Sequence, residues 1–82
     1  SYYRFNKLYA NSEAQITEII RRQFLLGREI IRVRIDEKIP FRGESISFLK
    51  TKIREALGPH GFSLLWNEGA RTLAVTVDSD KE

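Results

Sequence analysis

Gly27-Arg28-Glu29-Ile30-Ile31-Arg32-Val33-Arg34-Ile35-Asp36 is the stretch that decides the fold of this chain. Ile31, Val33 and Ile35 fall two residues apart, with Arg32 and Arg34 between them. That is the period of a strand with one apolar and one wet face. Upstream the period is different: Ile16, Ile19, Ile20 and Phe24 keep the spacing of one helical face. The change of period falls at Gly27, a residue suited to the left-handed cap that ends a helix. A helix over 13 to 26 followed by a strand over 29 to 36 is therefore expected.

The pattern extends outward in both directions. Ser12 followed by Gln15 has the form of a reciprocal cap, with Glu13 and Glu18 early in the helix and Arg21 and Arg22 late. Before it, Tyr2, Tyr3, Phe5 and Tyr9 with Arg4 and Lys7 suit a short strand in residues 1 to 9. After residue 36, Pro40 lacks a ladder donor and Gly43 permits positive φ, which predicts an ordered loop. Ser45 or Ser47 is placed to cap a second helix over 46 to 57, with Ile46, Leu49, Ile53, Ala56 and Leu57 in one stripe and Gly58-Pro59 at its end. Two alternating runs, 62 to 66 and 71 to 77, flank the turn residues Asn67-Glu68-Gly69-Ala70 and read as a hairpin.

The order β-α-β-α-β-β predicts an α/β two-layer sandwich, with two helices on one face of a small mixed sheet. The other face is then open to water and bears Arg32, Arg34, Ser63, Leu65, Thr72 and Thr76. The expected core is Ile16, Ile19, Ile20, Phe24, Ile31, Val33, Ile35, Leu49, Ile53, Leu57, Leu64, Trp66, Leu73 and Val75.

Composition bounds the function. The 82 residues suit one domain over 1–77 with an acidic tail at 78–82, and 41% hydrophobic content is enough for a core. No apolar run is long enough to insert into a membrane, and without cysteine there is no disulfide framework or thiolate metal site. A chain that starts at Ser1 and has no Met reads as a piece of a longer protein. The net charge is +3, and the tail holds three acids against one base, so the basic excess lies in the domain itself. Nine of the fourteen bases are arginine, the side chain best shaped for phosphate.

No catalytic signature is present, and no metal or other cofactor is expected. His60, the single histidine, lacks partners and suits a turn after the second helix. Asp36 and Glu37, adjacent at a strand end, point to opposite faces and read as solvated. Gly43, with Lys38 and Arg42, leads into a helix N-terminus, which is either a phosphate site or a tight turn relieved by glycine. Trp66 and the N-terminal tyrosines are able to stack on bases, but Trp66 is in phase with Phe62 and Leu64 and reads as core. The more specific set is Arg32, Arg34, Lys38, Arg42, Lys50 and Arg54, spread along strand, loop and helix. It forms either one basic surface making mostly phosphate contacts or a solvated face balanced by Glu29, Asp36, Glu37, Glu44 and Glu55.

Several of these segments resemble a known domain. The helix ending Phe24-Leu25-Leu26-Gly27, the strand from Arg28 to Ile35, Phe41-Arg42-Gly43-Glu44 in place of a glycine-rich loop, and the closing run from Glu68 to Val77 resemble the Smr domain. The element order also resembles the C-terminal domain of bacterial initiation factor three. These resemblances imply a nucleic-acid partner, RNA before DNA, and a cytoplasmic setting. Asn6-Lys7-Leu8-Tyr9 stands where Smr domains carry Asp-x-His, and no His-Gly-x-Gly loop occurs, so the nuclease activity of some Smr domains is not implied. A second resemblance points elsewhere. The run from Ile39 to Leu49, followed by Gly61-Phe62-Ser63-Leu64-Leu65-Trp66, is similar to the periplasmic N-terminal domains of secretins and TonB-dependent receptors. It implies a partner that is another protein, a periplasmic setting and a further strand at 38 to 41. The basic balance favours the nucleic-acid expectation over this docking alternative.

Overall fold

The computed structural model describes residues 8–78. Its elements are β1 Leu8–Ala10, α1 Glu13–Leu25, β2 Ile30–Ile35, α2 Glu44–Leu57, β3 Phe62–Asn67 and β4 Thr72–Val77. The strand expected across residues 1 to 9 meets the structure only at its end, because residues 1–7 lie outside the described residues, as do 79–82 of the acidic tail. The strands form one mixed sheet in the order β1-β2-β4-β3, with β1 parallel to β2 and β4 antiparallel to both its neighbours. The crossovers β1-α1-β2 and β2-α2-β3 step in the same direction across this sheet. Connections of one hand that step the same way place their helices on the same face. The result is the expected two-layer α/β sandwich, with a thinnest dimension of 19 Å.

Local chemistry sets the boundaries. Ser12 Oγ accepts the Gln15 N–H at 3.3 Å and Gln15 Oε1 accepts the Asn11 N–H at 2.7 Å, so α1 starts at the expected cap. It ends in a two-bond Schellman arrangement: the Arg28 N–H reaches the Gln23 carbonyl and the Gly27 N–H reaches that of Phe24. This geometry needs the positive φ of 91° that Gly27 supplies. The start of α2 differs from expectation, since Gly43 is its N-cap and the helix begins at Glu44. Ser45 is turned back instead, accepting the Arg42 N–H at 2.9 Å and donating to the Arg42 carbonyl at 2.7 Å. Ser47 lies inside the helix and caps nothing; its carbonyl accepts the Thr51 hydroxyl.

The buried core joins Ile16 and Ile20 of α1, Ile31, Val33 and Ile35 of β2, Leu49, Ile53 and Leu57 of α2, and Leu73, Val75 and Val77 of β4. Four expected core residues, Ile19, Phe24, Leu64 and Trp66, are only partly buried and pack around its rim. Leu64 and Trp66 lie on β3, an outer strand with a neighbour on one side only. Ala10, Ile39 and Phe41 are buried although no periodicity marked them. Ile39 and Phe41 belong to the loop between β2 and α2, and residues 38–41 form no strand. His60 follows α2 as expected and also closes the core's end, its ring 4.9 Å from that of Phe24 in an edge-on contact.

Ile53 has no exposed surface and lies where α2 meets the sheet. Ile53→Ala should therefore cost about 2–5 kcal/mol in chemical denaturation. An unchanged midpoint would contradict the helix phase described here.

Candidate nucleic-acid interface

Burial of Ile31, Val33 and Ile35 beneath the helices forces Arg32 and Arg34 to the opposite side of the sheet, since successive strand residues alternate. Cross-strand register then assembles the rest of that side in three rows. Tyr9, Arg34, Thr72 and Asn67 form the first; Arg32, Ala74 and Leu65 the second; Ile30, Thr76 and Ser63 the third. All six residues expected on the open face are there, joined by Tyr9, Ile30, Asn67 and Ala74. None of the ten is acidic. Arg32 and Arg34 form no ion pair with any described residue.

The other four expected binding residues do not share this surface. Lys50 and Arg54 follow one residue after the buried Leu49 and Ile53, so they stand on the flank of α2 in the helical layer, beyond the sheet from Arg32 and Arg34. The Arg54 guanidinium lies 5.6 Å from the Phe62 ring centroid. The six bases therefore do not make one continuous face, because the sheet separates them. Lys38 and Arg42 sit in the loop at the end of β2, where they line a shallow depression with Glu37, Glu68 and Arg71. Its charges are mixed, and Glu44 already puts a carboxylate in the first turn of α2. The Gly43 region is thus a tight turn whose positive helix end is met by the chain's own acid.

Two residues at the margin of the site carry geometry that single-chain patterning did not reveal. Asp36 accepts the Tyr9 hydroxyl on Oδ2 and the Lys38 N–H on Oδ1 at 2.9 Å, so it is a tethered group rather than a merely solvated strand end. The Lys38 N–H, then the Tyr9 hydroxyl, hold its carboxyl below the ordinary range, with smaller help from the Lys38 and Arg71 charges and against partial desolvation. The same hydrogen bond, first among the causes, pushes the Tyr9 phenol above its usual value. Tyr9 was one of several N-terminal aromatics by sequence, and only its pairing with Arg34 across the β1–β2 ladder sets it apart.

Arg71 holds the neighbouring loop. Its Nε donates to the Ile35 carbonyl at 3.1 Å, and Nη2 donates to those of Asp36 and Ile39 at 2.9 and 2.7 Å. The guanidinium lies 5.3 Å from the Trp66 ring centroid, and Phe41 packs on Trp66 at 4.3 Å. Trp66 is thereby held against the rim of the core, between Phe41 and Arg71, and its indole N–H donates to Glu68 at 2.8 Å. Arg71, not Gly69, takes the left-handed turn position, with φ 48°. That conformation costs about 1–2 kcal/mol for a side-chain-bearing residue, which the three charge-assisted bonds offset. Among the described residues no group of three or more metal-ligating side chains occurs, and no helix is long and apolar enough to cross a membrane.

Arg71→Lys keeps the charge but not the fork that spans three carbonyls, and should lower stability by about 1.5–3 kcal/mol with a change in Trp66 emission. An unaltered denaturation midpoint and spectrum would contradict the role given to Arg71. Asp36 provides a pH test. Its folded-state pKa is lowered, so its charge stabilises the fold above about pH 4, and the contribution fades as pH falls through the lowered value. The stability difference between the parent and Asp36→Asn should be full near neutrality and vanish in strong acid. A difference that is constant down the acid limb would contradict the tether.

Compared with models of protein families, with curated proteins and with solved structures, the chain finds no match in any of the three.

Proposed function

We propose that this domain is a non-catalytic nucleic-acid-binding module, with the open sheet face as its binding surface. The observation that carries the reading is the make-up of that face. Among the described residues Arg32 and Arg34 form no ion pair and stand among Ser63, Asn67, Thr72 and Thr76, and the acid that meets a row is Asp36, bonded to Tyr9 at the end of the face. Arginines supply charge-assisted bonds to phosphate, and the hydroxyls of Ser63 and Thr76 with the Asn67 amide add donors without repelling a polyanion, while the Thr72 hydroxyl donates to the Ala70 carbonyl. The resemblance to Smr and initiation-factor-three domains agrees in direction and leans the reading towards RNA. Contacts are mainly to the backbone, so binding is weakly sequence-specific.

One observation favours docking of another protein on the same face. Leu65 and Ile30 are 71% and 59% exposed there, although the two stand in different rows. Electrostatics separates the readings, because phosphate binding releases counterions and weakens steeply with salt, whereas an apolar contact is nearly indifferent to it.

Arg32→Glu with Arg34→Glu should leave the fold intact, since both side chains already face water. The double variant should lose most of its affinity for a labelled RNA oligonucleotide in a fluorescence titration. Single neutral replacements should each lower the log-log salt slope by about one. Full affinity in the folded double variant would overturn the assigned face, and no binding by the parent at low salt would overturn the function.

A further inference from the structure

The first row of the open face narrows the ligand. Tyr9 and Arg34 are neighbours across the parallel β1–β2 ladder, about 4.8 Å apart, and Arg32 follows about 6.6 Å further along β2 on the same side. Tyr9 is 48% exposed, and its hydroxyl is tied to Asp36 at the strand end. Tyr9 thus shares one row of the open face with Arg34, and Arg32 stands in the next row. Beside them the sheet offers Thr72, Ala74 and Leu65, and in the third row the hydroxyls of Thr76 and Ser63.

The shape of the surface decides between a duplex and a single strand. Reading a duplex groove needs an element that enters it, a helix or a two-stranded ribbon. Among the described residues both helices pack on the far side of the sheet, and the open face has only strands edge to edge. A broad strand surface with an aromatic ring beside arginines is instead suited to unstacked bases, which lie on the ring while the backbone follows the charges. Resting on the nucleic-acid reading above, we infer that the ligand is single-stranded nucleic acid, with one base stacked on Tyr9 and its flanking phosphates held by Arg34 and Arg32. Asp36 acts as a positioning residue that fixes the ring and touches no part of the ligand.

The test titrates the protein with a short mixed-sequence single strand and with a blunt duplex of equal length, at one salt concentration. The single strand should bind more tightly. Tyr9→Leu should weaken that binding about tenfold or more, in keeping with the contribution of one stacked base, while Tyr9→Trp retains it. In the unaltered chain, the Tyr9 ring-proton resonances should move upfield on adding the single strand, a readout that needs no variant to fold. Equal affinity for the duplex, or ring resonances that stay in place while the strand binds, would overturn the single-strand inference and leave the nucleic-acid function standing. Failure of both ligands to bind at low salt would overturn both.

Discussion

Two helices have one sheet face to cover, and that inequality governs this molecule. The face they cover must be apolar in every strand, which fixes Ile31, Val33 and Ile35 of β2 and Leu73, Val75 and Val77 of β4 inward. Alternation then leaves no choice for Arg32 and Arg34, because a one-residue slip would bury two guanidiniums and expose three large aliphatic side chains. The charged surface is therefore a consequence of the packing. Folding alone asks only for polar residues at those positions, and the described strands set Ala74 and Thr72, not an acid, opposite the two arginines.

The parts that position the face are stabilised separately from the core. The loop between β2 and α2 has no ladder of its own, and its backbone carbonyls are instead gathered by Arg71 from the β3–β4 turn. This brings Ile39 and Phe41 under cover and seats Trp66 between Phe41 and the guanidinium. On the other side of the same strand end, Asp36 draws in the Tyr9 hydroxyl. Both contacts meet at the end of β2, so the end of the strand that carries the arginines is held from the core side and from the open side.

Much of this could be read from residue order, and the exceptions have physical reasons. The helices, the strand from residue 30 and the hairpin announced themselves through period 3.6, period 2 and turn residues, as did the Ser12 cap and the Gly27 stop. The burial of Ile39 and Phe41 left no trace, since a loop has no period and their cover depends on Arg71, more than thirty residues away. The start of α2 differs from its sequence pattern because Ser45 and Ser47 suit a cap in isolation, whereas Ser45 bonds back to Arg42 and leaves the position to Gly43. Arg32 and Arg34 were assigned to the open face from alternation alone. Grouping them with Lys50 and Arg54 failed because nearness along the chain says nothing about which layer an element joins. Tyr9 became distinct only when a three-residue strand paired in parallel with β2.

On the proposed function the ligand lies on the sheet, on the side away from the helices. Methyl chemical-shift mapping during titration with a single-stranded oligonucleotide tests this most directly. Leu65, Ala74, Thr72 and Thr76 report from the open face, and Leu25, Leu26 and Ala56 report from the helical layer. The account predicts that the first group shifts in a saturable manner while the second stays in place. Shifts concentrated on the helical methyls, with the sheet face unmoved, would contradict it.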